Sequence, residues 1–218
     1  MPGLLRTVNG TTTLFATASL KSKQEGILSA NIELVTNVSR NVSVIFLNIT
    51  QNACNLATLK IQSLNRTSSR LTASFGKQVH GVSSANILLQ VKNGNIHAKG
   101  FINKQSIIPI KLGCGCQTGC SCTGKKKVRF KDGTTLKISI DNSLELALKR
   151  LFTKLEREIK KLIPRSRKGA TATSDPDCRA RCFQIGNSCR AACGIFAVLC
   201  TPICLSAQAV CLISCLPT

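Results

Sequence analysis

The chain has 218 residues, of which 43% are hydrophobic and 18% charged, a globular composition that excludes an intrinsically disordered protein. Lysine and arginine outnumber aspartate and glutamate by 30 to 9, which gives a formal net charge of +21. A charge of this sign favours nucleic acid, anionic lipid or an acidic protein as partner, although it also keeps a protein soluble.

Residues 4–112 alternate short β-branched runs with turn residues, at the spacing of an antiparallel meander, sandwich or barrel. Asn9-Gly10 and Asn93-Gly94 each lie between two such runs and predict hairpins with two-residue turns. The pair Asp132-Gly133 predicts a third, later hairpin. We therefore expect an antiparallel β-rich domain, in an order of strands that the sequence does not determine.

One long amphipathic helix is predicted to begin at Asn142 and to end at Pro164, with Glu145 as its capping-box partner. Leucine and isoleucine recur on one face at steps of three and four residues, and lysine and arginine occupy the other. Such a helix could lie on an anionic membrane, but packing of its apolar stripe on the sheet is favoured. The predicted α+β domain covers residues 1–163, with the helix at 142–163.

A linker is predicted at residues 164–176, which are rich in Pro, Gly, Ser, Thr and Asp and have no apolar periodicity. Arg165, Arg167 and Lys168 make this segment a candidate for trypsin-like cleavage. The alternative is a solvated tether that stays uncut.

Eight cysteines follow the linker at separations of 4 and 7 residues, an 11-residue repeat without a break. On a helix these steps rotate by about +40° and −20°, so the eight thiols share one face. We therefore predict a small disulfide-rich α-helical module at residues 177–218. Zinc is disfavoured because the module has no histidine, and buried free cysteines are a third alternative. The disulfide candidates are Cys178, Cys182, Cys189, Cys193, Cys200, Cys204, Cys211 and Cys215.

A second cluster, Cys114, Cys116, Cys120 and Cys122, has Cys-x-Cys-x3-Cys-x-Cys spacing among glycines. Four thiolates at this spacing could hold zinc, although disulfides or cross-links between chains are slightly favoured. Cys54 is the remaining, odd cysteine, and an odd number favours self-association through a bond between chains.

No catalytic site and no cofactor are predicted, and zinc at the cluster of residues 114–122 stays the less favoured alternative to disulfides. His80 and His97 are isolated, the few acidic residues form no paired constellation, and no glycine-rich phosphate loop is present. Nucleic acid stays a less favoured alternative partner, because the basic residues are not interleaved with stacking aromatics and no zinc-finger or RNP-type motif is present.

Charged and apolar residues are separated along residues 177–218, which we call the tail. Arg179, Arg181 and Arg190 lie in its first half, and residues 191–216 contain no acidic or basic residue. Arginines attract anionic lipid headgroups, and the apolar half can then insert into the membrane interface. We therefore expect an anionic membrane surface as partner. A single membrane-spanning tail anchor is an alternative, although Pro202 interrupts the apolar stretch.

This organisation, a larger N-terminal part before a short, cysteine-dense, apolar tail, resembles the precursors of halocin-type cysteine-rich bacteriocins. The resemblance lies in the arrangement of the parts and in no residue-level motif. It implies that the N-terminal part holds or neutralises a C-terminal antimicrobial peptide, which is released by cleavage near residues 165–168. The chain departs from that family in lacking a twin-arginine signal and in its strict 11-residue repeat.

The expected function is therefore that of a precursor of a cationic, cysteine-rich, membrane-active peptide. One alternative is a self-assembling surface or spore protein cross-linked by disulfides, and another is a basic tail-anchored or nucleic-acid-binding protein. The first residues contain no apolar run of signal-peptide length, whereas the 13 cysteines favour an oxidising destination. Secretion or display at the cell surface by a non-classical route is expected.

Overall fold

The computed structural model describes residues 3–37, 42–65, 67–92, 95–112, 127–137 and 139–162. Within these ranges the chain is mostly antiparallel β-sheet with one α-helix, as predicted for the N-terminal part. The elements are β1 Leu4–Val8, β2 Thr11–Ser22, β3 Gly26–Asn37, β4 Val42–Gln51, β5 Cys54–Asn65, β6 Ser68–Phe75, β7 Ser84–Lys92, β8 Asn95–Ile102, β9 Gln105–Ser106, β10 Ile110–Leu112, β11 Lys127–Arg129, β12 Thr135–Lys137 and α1 Asn142–Leu162.

The large sheet is a meander in which β1 to β8 pair consecutively, each antiparallel to the next. The short strands β9 and β10 both pair with β8 and continue its far edge. β11 and β12 form a separate hairpin. This hairpin joins the rest through a bridge between Ile107 and Phe130, and Ser139 beyond it pairs with His80.

The predicted hairpins are present at all three positions. Asn9 and Gly10 have φ angles of 48° and 70°, as a type I′ turn requires. Residues 93 and 94 lie outside the described residues, but the flanking strands β7 and β8 pair as a hairpin. The third hairpin has a longer loop than a two-residue turn, because the Phe130 N–H donates to the Thr134 carbonyl and Gly133 has a φ of 87°.

Side-chain hydrogen bonds stabilise that third loop. The hydroxyl and the backbone N–H of Thr134 both donate to Asp132 Oδ1, at 2.6 and 2.9 Å. These two bonds favour the charged carboxylate, so they hold the pKa of Asp132 below its usual value.

Two further tight turns were not predicted, because neither contains glycine. Asn52-Ala53 and Asn103-Lys104 connect β4 to β5 and β8 to β9, with all four residues at φ between 49° and 67°. Asparagine tolerates this left-handed region better than other non-glycine residues. Each asparagine is also held in place by its side chain, since Asn52 Oδ1 accepts from the Ile27 N–H and Asn103 Oδ1 from the Ser83 N–H, both at 2.8 Å.

Alternate residues of each long strand are buried, so the core consists of rows that run across the sheet. In the longest row of large side chains, each residue pairs with the next across neighbouring strands and is 0–8% exposed. From β2 to β7 its members are Leu14, Leu34, Ile45, Ile61, Leu71 and Ile87. Because side chains alternate with a period of two, a slip of one residue would turn an entire strand's apolar set toward the other face.

Helix α1 packs against β2 and β3, as its amphipathic pattern predicted. Its buried stripe faces the core cluster and consists of Leu144, Ala147, Leu148, Leu151, Phe152, Leu155 and Ile159. Two polar contacts fix the helix along its length. Lys154 Nζ donates to the Ser19 carbonyl at 2.7 Å. At the N-terminal end of the helix, the Ser143 hydroxyl donates to Glu25 Oε1, and Gln51 Nε2 of β4 donates to Glu25 Oε2.

The start of α1 corrects the predicted capping box. The Glu145 N–H donates to the carbonyl of Asp141, which makes Asp141 the residue that begins the helical hydrogen bonding. Asp141 therefore takes the N-cap position in place of Asn142, and Glu145, four residues further on, is one position too far along to complete a capping box with Asp141. Its carboxylate instead forms an ion pair with Lys149 at 2.7 Å.

We predict that Leu151→Ala lowers the free energy of unfolding by about 2–5 kcal/mol, because its side chain is 0% exposed and truncation leaves a cavity under α1. The matched control is Leu146→Ala on the solvent side of the same helix, 52% exposed, with an expected change within about 0.5 kcal/mol. Urea unfolding followed by circular dichroism measures both. Equal losses in the two variants would show that the stripe of α1 does not face the sheet.

Candidate functional site

Most of the predicted site residues lie outside the described residues. This holds for the eight cysteines of residues 177–218, for the cluster at residues 114–122 and for the basic residues at 165–168. Their disulfides, zinc ion and cleavage therefore stay predictions.

Cys54 is the predicted cross-linking residue that the structure does describe. It is the first residue of β5 and lies opposite Gln51, next to the Asn52-Ala53 turn. Its thiol is free and its side chain is exposed. The tip of the β4–β5 hairpin thus presents an accessible thiol to solvent.

The two histidines lie in different surroundings. The backbone of His80 exchanges hydrogen bonds with Ser139, whereas His97 lies on β8 opposite Gln90. Across the ranges that the structure covers, no group of three or more His, Cys, Asp or Glu residues is arranged to hold a metal ion.

The exposed side of α1 is basic. Its three glutamates each form an ion pair with a lysine three or four residues further on: Glu145 with Lys149, Glu156 with Lys160 and Glu158 with Lys161. Surface pairs of this kind contribute only about 0.3–0.5 kcal/mol each. Arg150, Lys154 and Arg157 have no carboxylate partner in the described part of the chain. The helix therefore keeps an excess of positive charge.

The face of the sheet opposite the buried rows carries a second set of cations, which lie beside exposed aromatic rings. On β4 to β8 the register pairs Phe46 with Lys60, and then continues through Thr72 and Asn86 to Phe101. The neighbouring row on the same face contains two more basic residues. We call this surface the outer sheet face and define it by Phe46, Lys60, Arg70, Thr72, Asn86, Lys99 and Phe101.

The rings of the outer sheet face are open to solvent, Phe46 being 41% and Phe101 50% exposed. Lys60 Nζ lies 5.4 Å from the centroid of the Phe46 ring, within the range of a cation–π contact. Four strand spacings separate the two rings, a distance of about 19 Å at about 4.8 Å per strand. None of the three cations of this face forms an ion pair with another described residue.

One sequence signal for this face was missed. Residues 34–131 contain no aspartate or glutamate, whereas they include 14 lysines and arginines. The aromatic and basic residues are not interleaved along the chain, and for that reason nucleic acid was disfavoured as a partner. The pairing of strands brings the aromatic and basic residues next to one another in space. This arrangement cannot be predicted from the sequence when the register of the strands is unknown.

Comparisons with protein-family models, with curated proteins and with solved structures find no match to this chain. Among the described residues, no helix has both the length and the apolar character needed to cross a membrane.

Proposed function

We propose that the chain is a two-part precursor. The β-rich domain of residues 1–163 carries a cationic, cysteine-rich, membrane-active antimicrobial peptide at residues 177–218, which folds as a disulfide-rich α-helical module. The observation that carries this proposal is the unbroken 11-residue repeat of eight cysteines after the last described element of the domain.

The polarity of residues 177–218 supports action at an anionic membrane. Its three arginines would contribute at most about 1 kcal/mol each near such a surface, which is too little for stable attachment. Apolar burial must supply the rest, at about 25 cal/mol per Å² of inserted area. The uncharged stretch at residues 191–216 is rich in Leu, Ile, Val and Phe and can provide that area.

The packing of α1 supports the assignment of this role to the tail rather than to the helix. α1 is basic and amphipathic, but its apolar stripe is buried against β2 and β3. Insertion of α1 into a membrane would expose the sheet residues that it covers, at a large cost in buried apolar area. A membrane-active segment is therefore better sought beyond the linker at residues 164–176.

Release of the tail by cleavage at Arg165, Arg167 or Lys168 completes the proposal. In the intact chain the domain would hold the peptide and limit its access to membranes. Secretion or surface display by a non-classical route would place the cysteines in an oxidising compartment, where disulfides persist. The proposal assigns no catalytic role to the chain.

The test uses the full chain with a site-specific protease sequence placed in residues 169–174. After cleavage under oxidising conditions, we expect dye release from phosphatidylglycerol vesicles at micromolar protein, and much weaker release from the uncut chain. Because arginines supply the attraction, Arg179→Gln, Arg181→Gln and Arg190→Gln together should reduce release from anionic vesicles. No release by the cleaved, oxidised protein would refute the membrane-active function.

A disulfide-cross-linked assembly is the second candidate function, and the exposed thiol of Cys54 favours it. A free thiol at a hairpin tip can reach a second chain without any change in the sheet. Under this alternative, oxidised protein should form reductant-sensitive dimers and higher species on non-reducing electrophoresis, and Cys54→Ser should remove the species joined through this thiol. Monomers alone in both proteins would exclude cross-linking through Cys54.

A further inference from the structure

We propose that the outer sheet face binds single-stranded nucleic acid. Bases would stack on the exposed rings of Phe46 and Phe101. Phosphates would contact the ammonium and guanidinium groups of Lys60, Arg70 and Lys99. This inference concerns the β-rich domain and is independent of the function proposed for residues 177–218.

The two rings are placed as a stacking platform rather than as part of the core. Both are on the face opposite the buried rows, and about half of each side chain is open to solvent. Stacking of bases on such rings is sequence-tolerant, because every base has a π-face. A base that stacks on Phe46 displaces the flexible amine of Lys60 from its weak contact with the ring, and that amine can then contact the adjacent phosphate.

The charge of the face complements a phosphate backbone. Strands β4 to β8 contain no acidic residue, and the nearest acid on the same face is Glu33 on β3, one strand beyond Phe46. The three cations of the outer sheet face thus lie on β5 to β8, away from Glu33 and toward Phe101. A strand of nucleic acid that crosses β4 to β8 would meet rings at both ends and cations between and beside them.

The spacing of the rings favours nucleic acid over a membrane surface. Phe46 and Phe101 are separated by about 19 Å, and the row between them contains Lys60, Thr72 and Asn86. Membrane insertion needs a continuous apolar face, which this alternation does not provide. Hydroxyl and amide groups between two rings can instead hydrogen-bond to base edges.

The test measures fluorescence anisotropy of a labelled oligodeoxythymidine of about 12 nucleotides, within the usual site size of such surfaces, with the full chain at several salt concentrations. The variant Phe46→Leu/Phe101→Leu keeps apolar bulk and removes both rings, and we expect its affinity to fall roughly 10-fold or more. Unchanged thermal unfolding of this variant would confirm that the sheet is intact.

A second pair of variants separates this face from general basic charge. Lys60→Gln/Arg70→Gln should weaken binding and reduce the slope of log K against log salt by about 1.4, at about 0.7 per phosphate contact. The matched control Arg150→Gln/Arg157→Gln removes two unpaired cations from α1 and should leave most of the affinity and slope unchanged.

Three results would overturn the proposal. The first is wild-type affinity in the Phe→Leu variant, and the second is an equal loss in the helix control. The third is equally tight binding to phosphatidylglycerol vesicles that does not depend on the two rings, which would assign the face to membranes instead. The proposal would be supported if the single strand bound more tightly than the matching duplex and if this preference disappeared in the Phe46→Leu/Phe101→Leu variant.

Discussion

The register of the antiparallel meander is the constraint on which the rest of the structure depends. Successive side chains of a strand point to opposite faces of the sheet. The register of the consecutive pairs from β2 to β8 therefore determines which face each residue of these strands occupies. The same register builds the buried rows on one side and the outer sheet face on the other. Core and candidate binding surface are therefore not independent features of this chain.

Turn geometry and helix packing both maintain that register. Two-residue turns such as Asn9-Gly10 and Asn52-Ala53 fix which residues stand opposite one another in the hairpins that they close. Helix α1 then covers part of the buried face. Lys154 donates to the carbonyl of Ser19 on a stretch of β2 that β1 does not reach, and this contact caps a backbone group at the edge of the sheet.

Features that depend on local sequence could be predicted, and features that depend on pairing could not. The helix Asn142–Leu162 follows from its apolar spacing, and the hairpin at Asn9-Gly10 follows from its turn residues. The turn at Asn103-Lys104 was missed because its left-handed residues include no glycine. The outer sheet face was missed for a different reason. Three strands, β5 to β7, lie between Phe46 on β4 and Phe101 on β8 in the chain, and only the register brings the two rings to the same surface.

Nuclear Overhauser effects between methyl groups test this account most directly, because they report which side chains share a face. Each neighbouring pair in the longest buried row should give a cross-peak, beginning with Leu14 to Leu34 and ending with Leu71 to Ile87. Strong cross-peaks that instead joined residues of this row to outward-facing ones, such as Leu34 to Val44, would show a slip of one residue. Such a slip would contradict both the proposed core and the outer sheet face.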